Sequence, residues 1–204
     1  MSLRAALLAR AGTMRRCLTI WLVFLASPAL ALLDGKTGFG IDPPEPFAVR
    51  REATDATEVS FAITSRTGKP EADPKSKFLC RARLTKHNNW VGAPQLALDD
   101  PAQRSARKRN LRAVFDGFFQ SGGEADFVFR GVPGTEFTAT DIARPEVHLH
   151  FSVIDLSTGR VTLNCTTVAG DFGSAAAQFR AIRASLSLPH AGKLQKPSTS
   201  KVLR

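Results

Sequence analysis

Alternation with a period of two is the dominant pattern of this chain, and it falls into separate runs. In EVSFAITSR, residues 58–66, Val59, Phe61 and Ile63 alternate with polar or small neighbours. In KFLCRARLTK, residues 77–86, Phe78, Cys80, Ala82 and Leu84 alternate with Arg81, Arg83 and Thr85. Each run predicts a strand with one face turned inward. Shorter strands are expected at 39–41 and 47–50, on either side of a proline-rich turn, and near 126–130 and 136–142. The longest stretch, VHLHFSVIDLSTGRVTLNCTTV at 147–168, holds two alternating runs around a turn with glycine and predicts a hairpin. A three-residue loop at Ser157, Thr158 and Gly159 sets Val153 opposite Leu163, Phe151 opposite Cys165 and Leu149 opposite Thr167. The other face of the hairpin then gathers His148, His150, Ser152, Thr162, Asn164 and Thr166, and a one-residue slip would mix the two sets.

The pattern changes to helical spacing twice. Asp100 and Pro101 suit an N-cap and first helical position, and Gly122-Gly123 is the expected stop. Within that span Leu111, Val114, Phe115 and Phe118 form an inward stripe. The same face, one turn earlier, carries Arg104, Arg107 and Lys108. Charge there opposes the helix dipole, so local stability does not explain it. The expectation is that Leu111 onward packs on a sheet while the basic turns run past it or lie along its rim. The second helix is capped by Asp171, presents Phe172, Ala176, Phe179, Ile182 and Leu186, and is ended by Pro189.

Composition refines the picture at the two ends. Residues 1–31 carry Arg4, Arg10, Arg15 and Arg16, an apolar run from Cys17 to Leu25, an Ala-x-Ala end and no acid, the parts of a secretory signal. The apolar run falls short of the ~20 residues of a membrane span. Met14 is an alternative start, and a mitochondrial presequence is the competing reading. Residues 32–189 form the expected domain, and 190–204, rich in Lys, Ser and Pro, a basic disordered tail. The whole chain has a formal charge of +10. Removing the signal's four arginines and the tail's four cations leaves 20 basic against 18 acidic residues in the domain. A balance of +2 argues against nucleic acid as a partner. Cys80 and Cys165 remain after signal cleavage and, in an oxidising compartment such as the bacterial periplasm, form a disulfide; two buried free thiols are the alternative.

Taken in order, GFGIDPPEPFAV, VSFAI, a mid-chain helix, the hairpin and DFGSAAAQFRAIRASLSLP resemble the PsbP/Mog1-like fold and its secreted bacterial relatives. The resemblance implies a single α+β domain, an antiparallel sheet flanked by helices in an αβα sandwich. It also implies a non-catalytic accessory or binding role, since that superfamily has no shared catalytic motif to carry over.

The candidate chemistry is sparse. His148 and His150 project from one strand face, so two imidazoles are placed for a metal ion, with His87 and Glu146 as the only further ligands nearby in sequence. This supports an alternative reading, a metal-binding or hydrolytic enzyme on the His148/His150 face; otherwise no cofactor is implied. G-x-S-x-G, H-E-x-x-H and C-x-x-C are absent from the sequence. Trp90 sits in a polar loop as a core-edge residue or a ligand platform. Arg104, Arg107, Lys108 and Arg109 form the candidate surface for a partner protein or an anionic envelope component. The polar strand face of His148, His150, Ser152, Asn164 and Thr166 is the second candidate.

Overall fold

A computed structural model describes residues 31–86, 92–168, 170 and 172–189. The expected signal, the loop with His87 and Trp90, the Asp171 cap and the tail therefore lie outside the described residues. The elements are β1 (Leu32–Leu33), β2 (Gly40–Ile41), β3 (Phe47–Thr54), β4 (Glu58–Ser65), β5 (Cys80–Thr85), α1 (Gln95–Leu98), α2 (Pro101–Phe115), β6 (Phe119–Phe129), β7 (Val132–Asp141), β8 (Val147–Leu156), β9 (Gly159–Val168), α3 (Phe172–Ala184) and β10 (Leu186–Ser187). Seven strands make one antiparallel sheet in the order β3-β4-β5-β9-β8-β7-β6, and β1, β2 and β10 make a small second sheet. Among the described residues no helix is long and apolar enough to cross a membrane.

The main core lies on one face of the large sheet. Val59, Phe61 and Ile63 of β4, Cys80, Ala82 and Leu84 of β5 and Val161, Leu163 and Cys165 of β9 meet Ala175, Phe179 and Ile182 of α3, with Phe39 and Ile41 from the small sheet. Cys80 and Cys165 are register partners on adjacent strands and form a disulfide. On the opposite face α2 covers the far end of the sheet. Its Phe115 ring lies 4.9 Å from Phe151 of β8 and 5.7 Å from Phe137 of β7, with Phe119 at 5.7 Å.

Three expectations are corrected. First, α2 ends at Phe115, with Asp116 as C-cap, instead of reaching Gly122-Gly123. Residues 119–129 are strand, and the two glycines sit at a bulge where the β6–β7 register shifts between Ser121 and Gly123. The helix stripe is correspondingly shorter: Phe115 and Leu111 are half-buried, whereas Val114 and Phe118 are 66% and 69% exposed. Second, the last helix stops at Ala184, and Leu186 is buried as part of β10, opposite Ile41.

Third, the hairpin register is one residue from the expected one. Leu156 pairs with Gly159 across a two-residue loop, so Val153 faces Thr162, Phe151 faces Asn164, Leu149 faces Thr166 and His150 faces Cys165. Gly159 belongs to the strand, at φ 142°, where a Cβ would stand 2.4 Å from the Thr85 carbonyl oxygen. Both the positive φ and the close approach to β5 require glycine here. The slip divides the expected polar face. His148, His150 and Ser152 lie with Leu163 and Cys165 beneath α3, while Asn164, Thr166 and Thr162 lie on the opposite face.

Candidate functional site

The slip buries a polar cluster at the centre of the molecule. Glu136 of β7 and Ser152 of β8 are cross-strand partners, and His150 is two residues along on the same face. All three are at most 5% exposed. From α3, Arg180 Nε and Nη2 donate to Glu136 at 3.1 and 2.7 Å, and Arg183 Nη1 donates to it at 2.6 Å. Arg183 Nη1 also donates to Ser152 Oγ at 3.3 Å, and its guanidinium stacks 3.8 Å above the Phe127 ring. The tip of that ring lies over Gly134, where an added Cβ would come within 2.4 Å of it. Glycine at 134 thus seats Phe127, Phe127 seats Arg183, and Arg183 helps hold the carboxylate.

Burial alone would raise the Glu136 carboxyl, but the Arg180 hydrogen bond, the His150 ring and Arg183 together hold it below the usual range. His150 is pushed the other way. Burial, helped by the field of Arg183 and Arg180 and opposed by the pull of Glu136, lowers it to about 4. Its Nε2 is 3.4 Å from Ser152 Oγ and 3.6 Å from Glu136, its ring centroid is 5.6 Å from that of Phe179, and its Nδ1 has no hydrogen-bond partner among the described residues.

This geometry does not make a nucleophilic triad. A triad needs the carboxylate on Nδ1 and the hydroxyl on Nε2. Here both groups face Nε2, and Ser152, 2% exposed, leaves no room for an acyl group. A carboxylate chelated by two arginines is also a weak base. The metal expectation involves His148, His150, Glu146 and His87, of which His87 lies outside the described residues. His148 does share a face with His150, but its ring stacks 4.8 Å from Phe172 and its Nδ1 meets Thr140 Oγ1 at 3.2 Å. Among the described residues no group of three or more His, Cys, Asp or Glu is placed to hold a metal ion.

The cluster instead ties α3 to the sheet. Replacing Glu136 with Gln removes the charge-assisted acceptor and leaves two arginines facing a neutral amide. The expected loss in urea unfolding is about 2 kcal/mol, with the α+β circular dichroism retained. A midpoint equal to that of the parent would show that Arg183 and Arg180 find other partners at no cost.

The basic face of α2 has acids waiting for it. Arg107 Nε donates to Asp155 of β8 at 2.7 Å, and its Nη2 donates to the Leu98 carbonyl. Lys108 lies 2.6 Å from Glu124 and 3.0 Å from Asp126, both on β6, and Arg104 lies 3.6 Å from Asp126. The basic turns do not run past the sheet; they lie over β6–β8 in ion pairs, Arg104 and Lys108 at the edge strand β6 and Arg107 further in at β8. Arg112 reaches Glu124 and Asp116 only at 3.8 and 3.9 Å, and Arg109 is exposed with no ion pair among the described residues. Between α2 and the sheet there is a cavity of about 20 Å³, room for a single water, bordered by Leu98, Arg104, Arg107, Thr135 and Asp155.

The sequence reading missed Glu136, Arg180 and Arg183. The available signal was that Arg180 and Arg183 sit beside Phe179 and Ile182, at the margin of the core stripe of α3.

A seven-stranded antiparallel sheet with helices on both faces and a closing helix over the core is the PsbP-like α+β fold. The solution structure of cyanobacterial PsbP (CyanoP) from Synechocystis sp. PCC 6803 aligns over 78% of this chain and 91% of that one, with a TM-score of 0.50 at 13% identity. A crystal structure of PA94, a protein of unknown function from Pseudomonas aeruginosa, aligns over 76% of this chain and 94% of that one, with a TM-score of 0.40 at 8% identity. The likeness is one of fold. No family model and no curated protein sequence matches the chain.

Proposed function

We propose that this chain is a secreted, periplasmic, non-catalytic accessory or binding module that contacts a partner through its surface. The observation that carries the reading is that the ionisable clusters near the sheet are closed upon themselves. Glu136 is chelated from within, His150 is sealed from solvent, and the α2 cations Arg104, Arg107 and Lys108 meet Asp126, Asp155 and Glu124. A buried disulfide is compatible with an oxidising compartment outside the cytoplasm. The signal-like residues 1–31 and the resemblance to accessory proteins support the same reading.

The test is fractionation of the native host followed by crosslinking and sizing under native conditions. The protein is expected in the soluble envelope fraction, lacking its signal, and in a species heavier than the 22.1 kDa chain. Recovery of an uncleaved cytoplasmic monomer with no crosslinked partner would sink the reading.

A further inference from the structure

We infer that the free edge of β6 is a docking site for an extended acidic polypeptide segment, which adds to the sheet as an eighth strand beneath the outer flank of α2. The inference deepens the binding-module reading and rests on it.

The two sheet edges differ. At β3 the register shifts between Arg51 and Ala53, and Arg51 reaches across to the Leu33 carbonyl and Asp34, so the N-terminal segment guards that edge. At β6, residues 120–126 are all exposed. Beyond its bulge, Gly123 to Phe129 pairs residue for residue with Thr138 to Val132, giving a straight edge. The direction of its backbone groups follows from the turn. Arg130 and Gly131, at φ 51° and 82°, form a two-residue loop, so the closing pair Phe129–Val132 is hydrogen-bonded. Alternation then makes Val128–Pro133 a non-bonded pair, as proline's missing N–H requires. The N–H and C=O groups of Glu124, Asp126 and Val128 therefore point away from β7, toward the open side.

Charge selects the occupant. Successive helix residues turn by 100°, so Arg107 and Arg109 point about 160° apart. Arg107 points inward along the sheet to Asp155 on β8, which puts Arg109 on the flank over the β6 edge, next to Arg112. The strand's own Glu124 and Asp126 are taken up by Lys108 and Arg104. An incoming strand meets Arg109 and Arg112 on its α2 side and Phe127 on the other. It also covers Val128, which is 72% exposed at the edge. The fitting ligand alternates acidic and apolar residues, the pattern of strand addition with side-chain selection.

The experiment is fluorescence anisotropy with the full mature protein and two labelled synthetic peptides, Glu-Val-Glu-Val-Glu-Val-Glu and its Lys-for-Glu counterpart. Saturable binding of the acidic peptide alone, weakened by salt, is expected. Val128→Pro removes one outward N–H opposite Pro133 without touching the β6–β7 ladder, and should weaken binding about tenfold. Should that variant fail to fold, the double variant Arg109→Glu with Arg112→Glu, both exposed, carries the same expectation. No saturable binding, or binding unmoved by either variant, overturns the proposal. So does attachment to phosphatidylglycerol vesicles in place of the peptide, which would make lipid the occupant. If the native crosslinked species persists in the Val128→Pro strain, the protein is a binding module whose contact lies elsewhere; if the parent forms none, the module reading itself has failed.

Discussion

Reducing the bond between Cys80 and Cys165, or replacing both residues with alanine, should lower the unfolding free energy by about 4.5 kcal/mol in the chain-entropy account. The size follows from the 85-residue separation of the two cysteines, which makes the loop closed in the unfolded chain a long one. Position matters as much. The pair joins β5 to β9 in the middle of the sheet order, and both residues are completely buried. Reductant therefore has no path to the sulfurs while the sheet is intact. In native buffer the bond should resist dithiothreitol, and in urea it should be cleaved as the chain unfolds. Reduced parent protein and the double alanine variant should then show similar urea midpoints, both well below that of the oxidised protein. Because the reduced thiols still fill their space, the comparison separates the loop constraint from core packing. An oxidised protein that is no more stable than its reduced form would contradict this. So would a reactive thiol, Cys17 aside, in the oxidised protein after unfolding.

How far the sequence could be read depended on whether a strand buries one face or two. On β5 a single apolar set faces the core, and the alternation of Cys80, Ala82 and Leu84 is read directly. On β8 both faces are covered, Leu149 and Val153 on the α2 side and Ile154 and Leu156 on the α3 side. The rule that apolar residues face apolar residues then lost its grip on register. Matching Phe151 to Cys165 looked better locally, yet the two-residue loop that pairs Leu156 with Gly159 sets the register. The basic stripe of α2 posed a similar difficulty. Its partners are 18 residues away for Asp126 and 48 for Asp155, brought together only by the sheet order. The Glu136 cluster spans 44 and 47 residues, with nothing in the local spacing to announce it. The cysteine pairing was legible because only two cysteines remained after the expected signal cleavage.

The same central cluster makes the protein sensitive to acid in a particular window. His150 titrates near 4 in the folded state, mainly through burial, against about 6.5 in an unfolded chain. Above the unfolded value both states are neutral at this residue, and it adds no pH dependence. As pH falls below about 6.5 the unfolded chain takes up a proton that the folded chain refuses. Stability should therefore drop by up to about 1.4 kcal/mol per pH unit, approaching about 3 kcal/mol near the folded value. The groups facing His150 are Glu136 and Thr138 from β7, Ser152 from its own strand, Cys165 from β9, and Phe179, Arg180 and Arg183 from α3. Glu136 has a lowered value, so its own contribution is present above the unfolded carboxylate range and is lost only at lower pH. Between pH 6.5 and about 4.5 the histidine dominates the local balance. His150→Leu places a side chain of similar bulk beside Leu163 and Phe179 and cannot titrate. Urea midpoints of parent and variant, measured across that window, should diverge from the parent's steeper slope, with the parent losing stability faster as acid is added. Replacing His150 also changes the hold on Glu136, but that difference appears only in the carboxylate range, so between pH 6.5 and about 4.5 the difference in slope isolates this one ring. Parallel slopes would mean that His150 gains a proton in the folded state as readily as in the unfolded chain, which its sealed position between α3 and the sheet forbids.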